Sequence, residues 1–269
     1  MEFYDKTVAD VLMDLQKQAI NPFADMHRLE EDLRENIKKA SEAAAEFNRN
    51  LSDATRQFEE EIERFFSIAR STKWDHLSFL LVDLAEYGWY INYRFDMFKL
   101  GKIRQCIDKE QIGEMDQLME NWIIADWKSI KELVLSNHPE RNAILTQAFY
   151  AHEEGLYLLS VPVFFAQIDG ICGELTGYKF FLNKQLGNNT FVPKVREWVT
   201  NNSRTGIDQA ISAVLMYKGA FQLHESQSNK IGFTRHSILH GETNDYGNRT
   251  NSLKAISLLA YISDVCSRK

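Results

Sequence analysis

The chain is short of residues that interrupt helices: 269 positions hold four prolines and thirteen glycines. With so few breakers, and Ala, Leu, Glu, Lys and Gln plentiful, helix is favoured nearly throughout. Cysteine is scarce too. Cys106, Cys172 and Cys266 are odd in number and far apart, with no C-x-x-C pair. That excludes a disulfide framework and a thiolate zinc site, and makes a reducing cytoplasm the expected location. The N-terminal MEFYDKTVADVLMDL is acidic and lacks the basic-then-apolar order of a secretory leader. Long uncharged runs are missing as well. Leu77 to Phe98, the greasiest stretch, is broken by Asp83, Glu86, Arg94 and Asp96, so it reads as a buried helix and no membrane partner is expected. Positive charge is the last shortage. The net charge of −7 argues against a general nucleic-acid coat, but the deficit is uneven: from Ser136 onward there are 13 Lys+Arg against 11 Asp+Glu, and before it 18 against 27. The second half can accept a polyanion locally; the first would repel it.

What the chain does contain is helical periodicity. Leu33, Ile37, Ala40, Ala44, Phe47, Leu51, Ala54 and Phe58 step by four and three in turn, then continue to Ile62 and Phe65. This is a heptad seam within a long helix over residues 24–69, able to pair within the chain or between chains. A break at Ser71-Thr72-Lys73 precedes an aromatic-rich helix from Trp74 to Lys99, ended by Gly101, and a further helix spans Gln111 to Leu135. Ser136-Asn137-His138-Pro139 is the expected domain boundary, because Asn137 can cap a helix that takes Pro139 early. Beyond it, helices are expected from Glu140 to Glu154, from Ser160-Val161-Pro162 to Thr176, over Pro193 to Asn201 and Gly206 to Phe221, around Arg235, and from Asn251 to Cys266. No run alternates long enough to be a strand. The expected fold is all-α: an acidic, coiled-coil-like helical region over residues 1–135, regulatory or dimerising, followed by a helical bundle over residues 136–269.

One cluster carries reactive chemistry: Arg235-His236-Ser237-Ile238-Leu239-His240-Gly241. Guanidinium grips a phosphate with two parallel hydrogen bonds, and imidazole moves protons near neutral pH. Spacing alone is weak evidence, since Arg70 and His76 lie six apart across a helix break. Setting separates the two, because Phe233, Ile238 and Leu239 fix a helical face and a polar turn follows. His236 and His240, at i and i+4, share a face, whereas Arg235 points about 140° away from His240. A site shared by two copies about a dyad brings the two together more easily than one chain does. In this reading His240 is a general base and Arg235 neutralises the charge of a phosphorane-like transition state. A neighbouring ribose 2′-hydroxyl as nucleophile makes a metal or cofactor unnecessary and restricts the substrate to RNA. A rival reading takes His236 and His240 as a metal pair with Glu242, Asp245 or His224 as third ligand. Another has Arg235 paired with an acid and His240 closing the helix end.

These residues resemble the signature of the HEPN superfamily (higher-eukaryote and prokaryote nucleotide-binding domains), an arginine, a polar residue and, a few positions on, a histidine. Arg235, His236 and His240 match it. The segments Tyr150 to Leu175 and Arg235 to Leu259, with Tyr246-Gly247 and Asn251-Ser252-Leu253, are also similar to prokaryotic HEPN-like proteins, so the likeness spans residues 138–269. It implies a helical bundle acting as a metal-independent endoribonuclease in antiviral defence or as a toxin. The implied partners are an RNA substrate, a second copy completing the site, and an antitoxin or companion defence protein. Position 242 is Glu where some members carry a modifiable tyrosine. Gln167 and Asp169, polar within a greasy helix, are expected either to orient Arg235 or His240 or to satisfy a backbone group. Asn244 and Tyr246, in the turn after the motif, are further candidates for holding substrate. The alternative class is a catalytically silent helical interaction or nucleotide-binding module.

Overall fold

In a computed structural model, the described residues are 31, 34–50, 52, 53, 56, 74–186, 190–202, 204–223 and 230–268. The chain divides into two compact units, Met1–Phe66 and Ser67–Lys269. In the first, residues 34–50 are helical and exposed, with solvent-facing ion pairs such as Lys39–Glu35 at 2.8 Å. The seam residues Ile37 and Phe47 are 61% and 67% exposed within the chain. Leu33, Leu51, Ala54, Phe58, Ile62 and Phe65, and the expected break at Ser71–Lys73, lie outside the described residues.

The second unit is almost wholly helical. Its elements are α1 (Trp74–Glu86), α2 (Leu100–Asp108), α3 (Ile112–Ala125), α4 (Trp127–Asn137), α5 (Asn142–Glu153) and α6 (Tyr157–Thr176). A two-stranded hairpin follows, β1 (Asn183–Leu186) and β2 (Thr190–Pro193), then α7 (Arg196–Asn201), α8 (Gly206–Ser212), α9 (Arg235–Leu239) and α10 (Arg249–Val265). The hairpin is antiparallel, with Asn183 opposite Pro193 and Leu186 opposite Thr190. Its strands, four residues each, are too short for period-two alternation to announce them. One core draws on α1 through α6 and α10, so residues on both sides of Ser136 belong to the same unit. The expected boundary at Asn137–Pro139 is a junction between helices inside it.

The central element is α10, where every residue from Asn251 to Val265 is buried. Helices α6, α4 and α3 pack around it. Its polar side chains each meet a different neighbour. Ser252 Oγ lies 2.7 Å from His152 Nδ1 on α5 and 3.0 Å from Ser160 Oγ on α6. Ser263 Oγ lies 2.7 Å from His138 Nε2, and Ser257 Oγ accepts from Tyr90 N at 3.2 Å. Tyr261 donates to Ile211 O at 2.8 Å. Satisfied polar pairs of this kind fix register in a way that apolar packing alone does not.

Helix α6 is long and apolar enough to cross a membrane by length and composition alone. Here it packs against α10 and α5. Pro162 lies inside it rather than at its start. Proline lacks the N–H that would bond to Leu158 O four residues back. The Tyr246 hydroxyl takes that place, donating to Leu158 O at 3.2 Å. The expected helix Trp74–Lys99 ends early, at Glu86, because Gly88 turns to φ +80° and sends Trp89 and Tyr90 into the core. Gly101 lies inside α2, and Asp126 divides the expected Gln111–Leu135 helix into α3 and α4.

Candidate functional site

The turn that carries Arg235 and His240 is fixed at both ends. Thr234, the extended N-cap, accepts from Ser237 N at 3.0 Å, and Ser237 Oγ accepts from Thr234 N at 3.0 Å. This reciprocal pair satisfies donors that a helix start leaves open. At the other end Gly241 adopts φ +72°; its N–H donates to Ile238 O at 3.2 Å, and Glu242 N donates to Ser237 O at 2.8 Å. That is the double closure of a Schellman motif. A five-residue helix cannot persist by itself. These caps, with buried Ile238 and Phe233, hold it against α6.

Arg235 is the first residue of α9 and His240 its C-cap, at φ −93° and ψ 0°. The His236 and His240 rings face each other with centroids 4.3 Å apart, the pairing that i, i+4 positions allow. His240 is exposed; His236 is half-buried, with Nε2 3.8 Å from Glu242 Oε1. The Arg235 guanidinium lies over the Phe181 ring, 5.3 Å from its centroid. Among the described residues Arg235 makes no ion pair, and its Nε is buried without a hydrogen-bond partner. The acid partner required by the purely structural reading is therefore not among them.

The other candidates are placed differently. Gln167 Oε1 accepts from Arg141 Nη1 at 2.6 Å, and Arg141 also pairs with Glu174, so Gln167 serves the α5–α6 side of the bundle. Asp169 Oδ1 accepts from Phe181 N at 3.0 Å and thus touches the site at one remove, by anchoring the residue beneath Arg235. Asn244 is exposed in the turn after α9. Tyr246 closes that turn onto α6 through Leu158 O, and a side chain at Gly247 would sit 2.5 Å from Leu158 carbons. Gln167 is buried, and the Tyr246 hydroxyl donates within the chain. For the metal reading, no three His, Cys, Asp or Glu converge among the described residues, and His224 lies outside them.

Sequence reasoning missed a polar cleft of about 390 Å³ between the segments that flank α9. Lys230 and Ile231 line it on one side, Asp245 and Asn248 on the other, with the first turns of α10 and the residues Tyr87 and Asp116 closing it. Lys254 is 5% exposed, and its Nζ lies 3.2 Å from Asp116 Oδ1, which also accepts from Trp89 Nε1 at 2.7 Å. Burial pushes the Lys254 ammonium below its ordinary range, opposed by the Asp116 charge. The available signal was a lone lysine within the apolar stretch Asn251–Cys266.

No protein-family model, no curated protein and no solved structure matches this chain.

Proposed function

We propose that this chain is a metal-independent endoribonuclease of HEPN type, with Arg235, His236 and His240 acting on a phosphodiester of RNA in a toxin or antiviral-defence role. The observation that carries the reading is the construction of α9. A single turn, capped at both ends, presents two imidazoles 4.3 Å apart and an arginine with no ion pair among the described residues. His240 takes the proton of the 2′-hydroxyl as its oxygen bonds to phosphorus. Arg235 neutralises charge on the pentacoordinate phosphorus. His236 returns a proton to the departing 5′ oxygen as the P–O5′ bond breaks, leaving a 2′,3′-cyclic phosphate and a 5′-hydroxyl.

A site shared by two copies is part of the proposal. Arg235 and His240 stand at opposite ends of the turn, and Leu239 beside His240 is 40% exposed. Leu158 and Leu159, at the start of α6 where the turn after α9 docks, are 51% and 62% exposed. Exposed apolar side chains on α9 and on the start of α6 suit burial by a second molecule. In cells, expression of the wild-type chain is expected to arrest growth and degrade RNA, and His240→Ala to do neither. Equal RNA breakdown by both would remove His240 from the chemistry.

A further inference from the structure

The cleft beside α9 has features that the cleavage reaction does not use. Its volume, about 390 Å³, is at the small end of ligand sites and suits one ring system rather than a folded segment. Its charges balance, with Lys230 and Lys254 against Asp116 and Asp245, so it does not select an anion. Both lysines are already committed: Lys254 to Asp116, and Lys230 to Glu86 at 2.6 Å, with its Nζ 4.3 Å from the Tyr87 ring centroid. What the cleft offers is neutral polarity and an aromatic wall. Asn248 Oδ1 accepts from Asn251 N at 2.8 Å, and Asn251 Nδ2 donates to Tyr246 O at 3.2 Å. Among the described residues, the lining side-chain acceptors without a hydrogen bond are then Asn251 Oδ1 and the Asp245 carboxylate.

We propose that this cleft binds one unstacked nucleobase of the RNA strand and favours bases with an exocyclic amino group. The inference rests on the ribonuclease reading for its substrate. Position supports it, because the segments forming the cleft run directly into and out of the turn that carries Arg235 and His240. Single-stranded RNA is read in this way, by bases splayed against aromatic side chains and hydrogen-bonded along their edges. Tyr87 supplies the ring, and Asp245 with Asn251 Oδ1 accepts from the amino group. The residues at the scissile phosphate act on any RNA linkage, whereas this cleft selects which linkage is presented.

The test uses the full chain and fluorescein-labelled trinucleotides with 2′-O-methyl riboses, which cannot be cut by 2′-hydroxyl attack. The central position carries A, C, G, U or an abasic linker, and binding is read by anisotropy. The amino-bearing probes are expected to bind roughly tenfold tighter than the abasic one, with U weaker than A, C or G. Asp245→Ala, an exposed position, and Tyr87→Leu, checked for folding by thermal melting, should both bring all probes to the abasic level. Equal binding of all five probes by the wild type, or base preference retained in both folded variants, overturns the proposal. His240→Ala is expected to keep the preference. Cleavage of ordinary RNA by that variant at the wild-type rate would defeat the ribonuclease reading, and the binding comparison would still decide the cleft.

Discussion

Lys254 is a charged residue within the buried stretch of α10. Its side chain is 6% exposed, lies over the Trp89 ring and meets Asp116, which Trp89 also serves. A buried ion pair adds little net stability compared with apolar residues of the same shape, but removing one member leaves the other uncompensated. Lys254→Met is therefore expected to lower stability by about 2 kcal/mol, discounted because Asp116 is partly solvated. Adding Asp116→Asn, which removes the charge and keeps an acceptor for the Trp89 indole N–H, should restore most of the loss in urea unfolding. A single variant as stable as the wild type would show that the pair does not hold α10. The sequence showed Lys254 within an apolar stretch but not its partner, 138 positions away. Phe181 is the same case. Nothing near Arg235 in sequence announces a ring beneath its guanidinium, or that Asp169 positions that ring through a backbone N–H. Residue types and short spacings were legible here; distant partners were not.

At the scale of elements, the short-range signals served well where the backbone itself demands a residue. Gly155 and Gly177 end α5 and α6 at φ +74° and +80°, as glycine after a helical run implies. The signals failed where a tertiary contact supplied the missing group. Pro162 reads as a helix start, yet α6 passes through it because the Tyr246 hydroxyl takes the carbonyl that proline leaves open. Helix α9 depends on both kinds of support, and Gly241 is its most constrained position. A Cβ there meets open space, so the cost of Gly241→Ala is conformational and amounts to about 1–2 kcal/mol at φ +72°. The expected result is a lower melting temperature and slower RNA cleavage, because the C-cap His240 moves with the turn. An unchanged melting temperature would mean that the left-handed closure does not hold α9.

The molecule as a whole should be sensitive to mild acid. His152 is buried against Trp127 and Tyr157, and desolvation, aided by Arg249, lowers its pKa from 6.5 to about 4. His138, joined to Ser263, is lowered in the same direction by burial. Between 6.5 and 4 the unfolded chain binds more protons than the folded one. This part of the stability is complete above about 6.5 and is lost as pH falls toward 4. His152 alone accounts for a loss on the order of 2–3 kcal/mol. Urea midpoints measured at neutral pH and at successive steps below it should fall accordingly, and a flat profile would place both imidazoles in water. The all-α character of the second unit was legible from the scarcity of breakers. Its extent was not, because α10 gathers α3 and α4 from before Ser136 into one core. The seam over residues 33–65 reaches beyond the described part of its helix.

Metal-free cleavage of RNA by the proposed turn from Arg235 to His240 can be measured with purified protein, a single-stranded RNA and EDTA, comparing wild type with His240→Ala and determining the chemistry of the ends. The wild type is predicted to yield 2′,3′-cyclic phosphate and 5′-hydroxyl ends, and His240→Ala to be slower by at least about 100-fold while melting at the same temperature. Cleavage by folded His240→Ala at the wild-type rate, or wild-type products ending in 5′-phosphate, would contradict it.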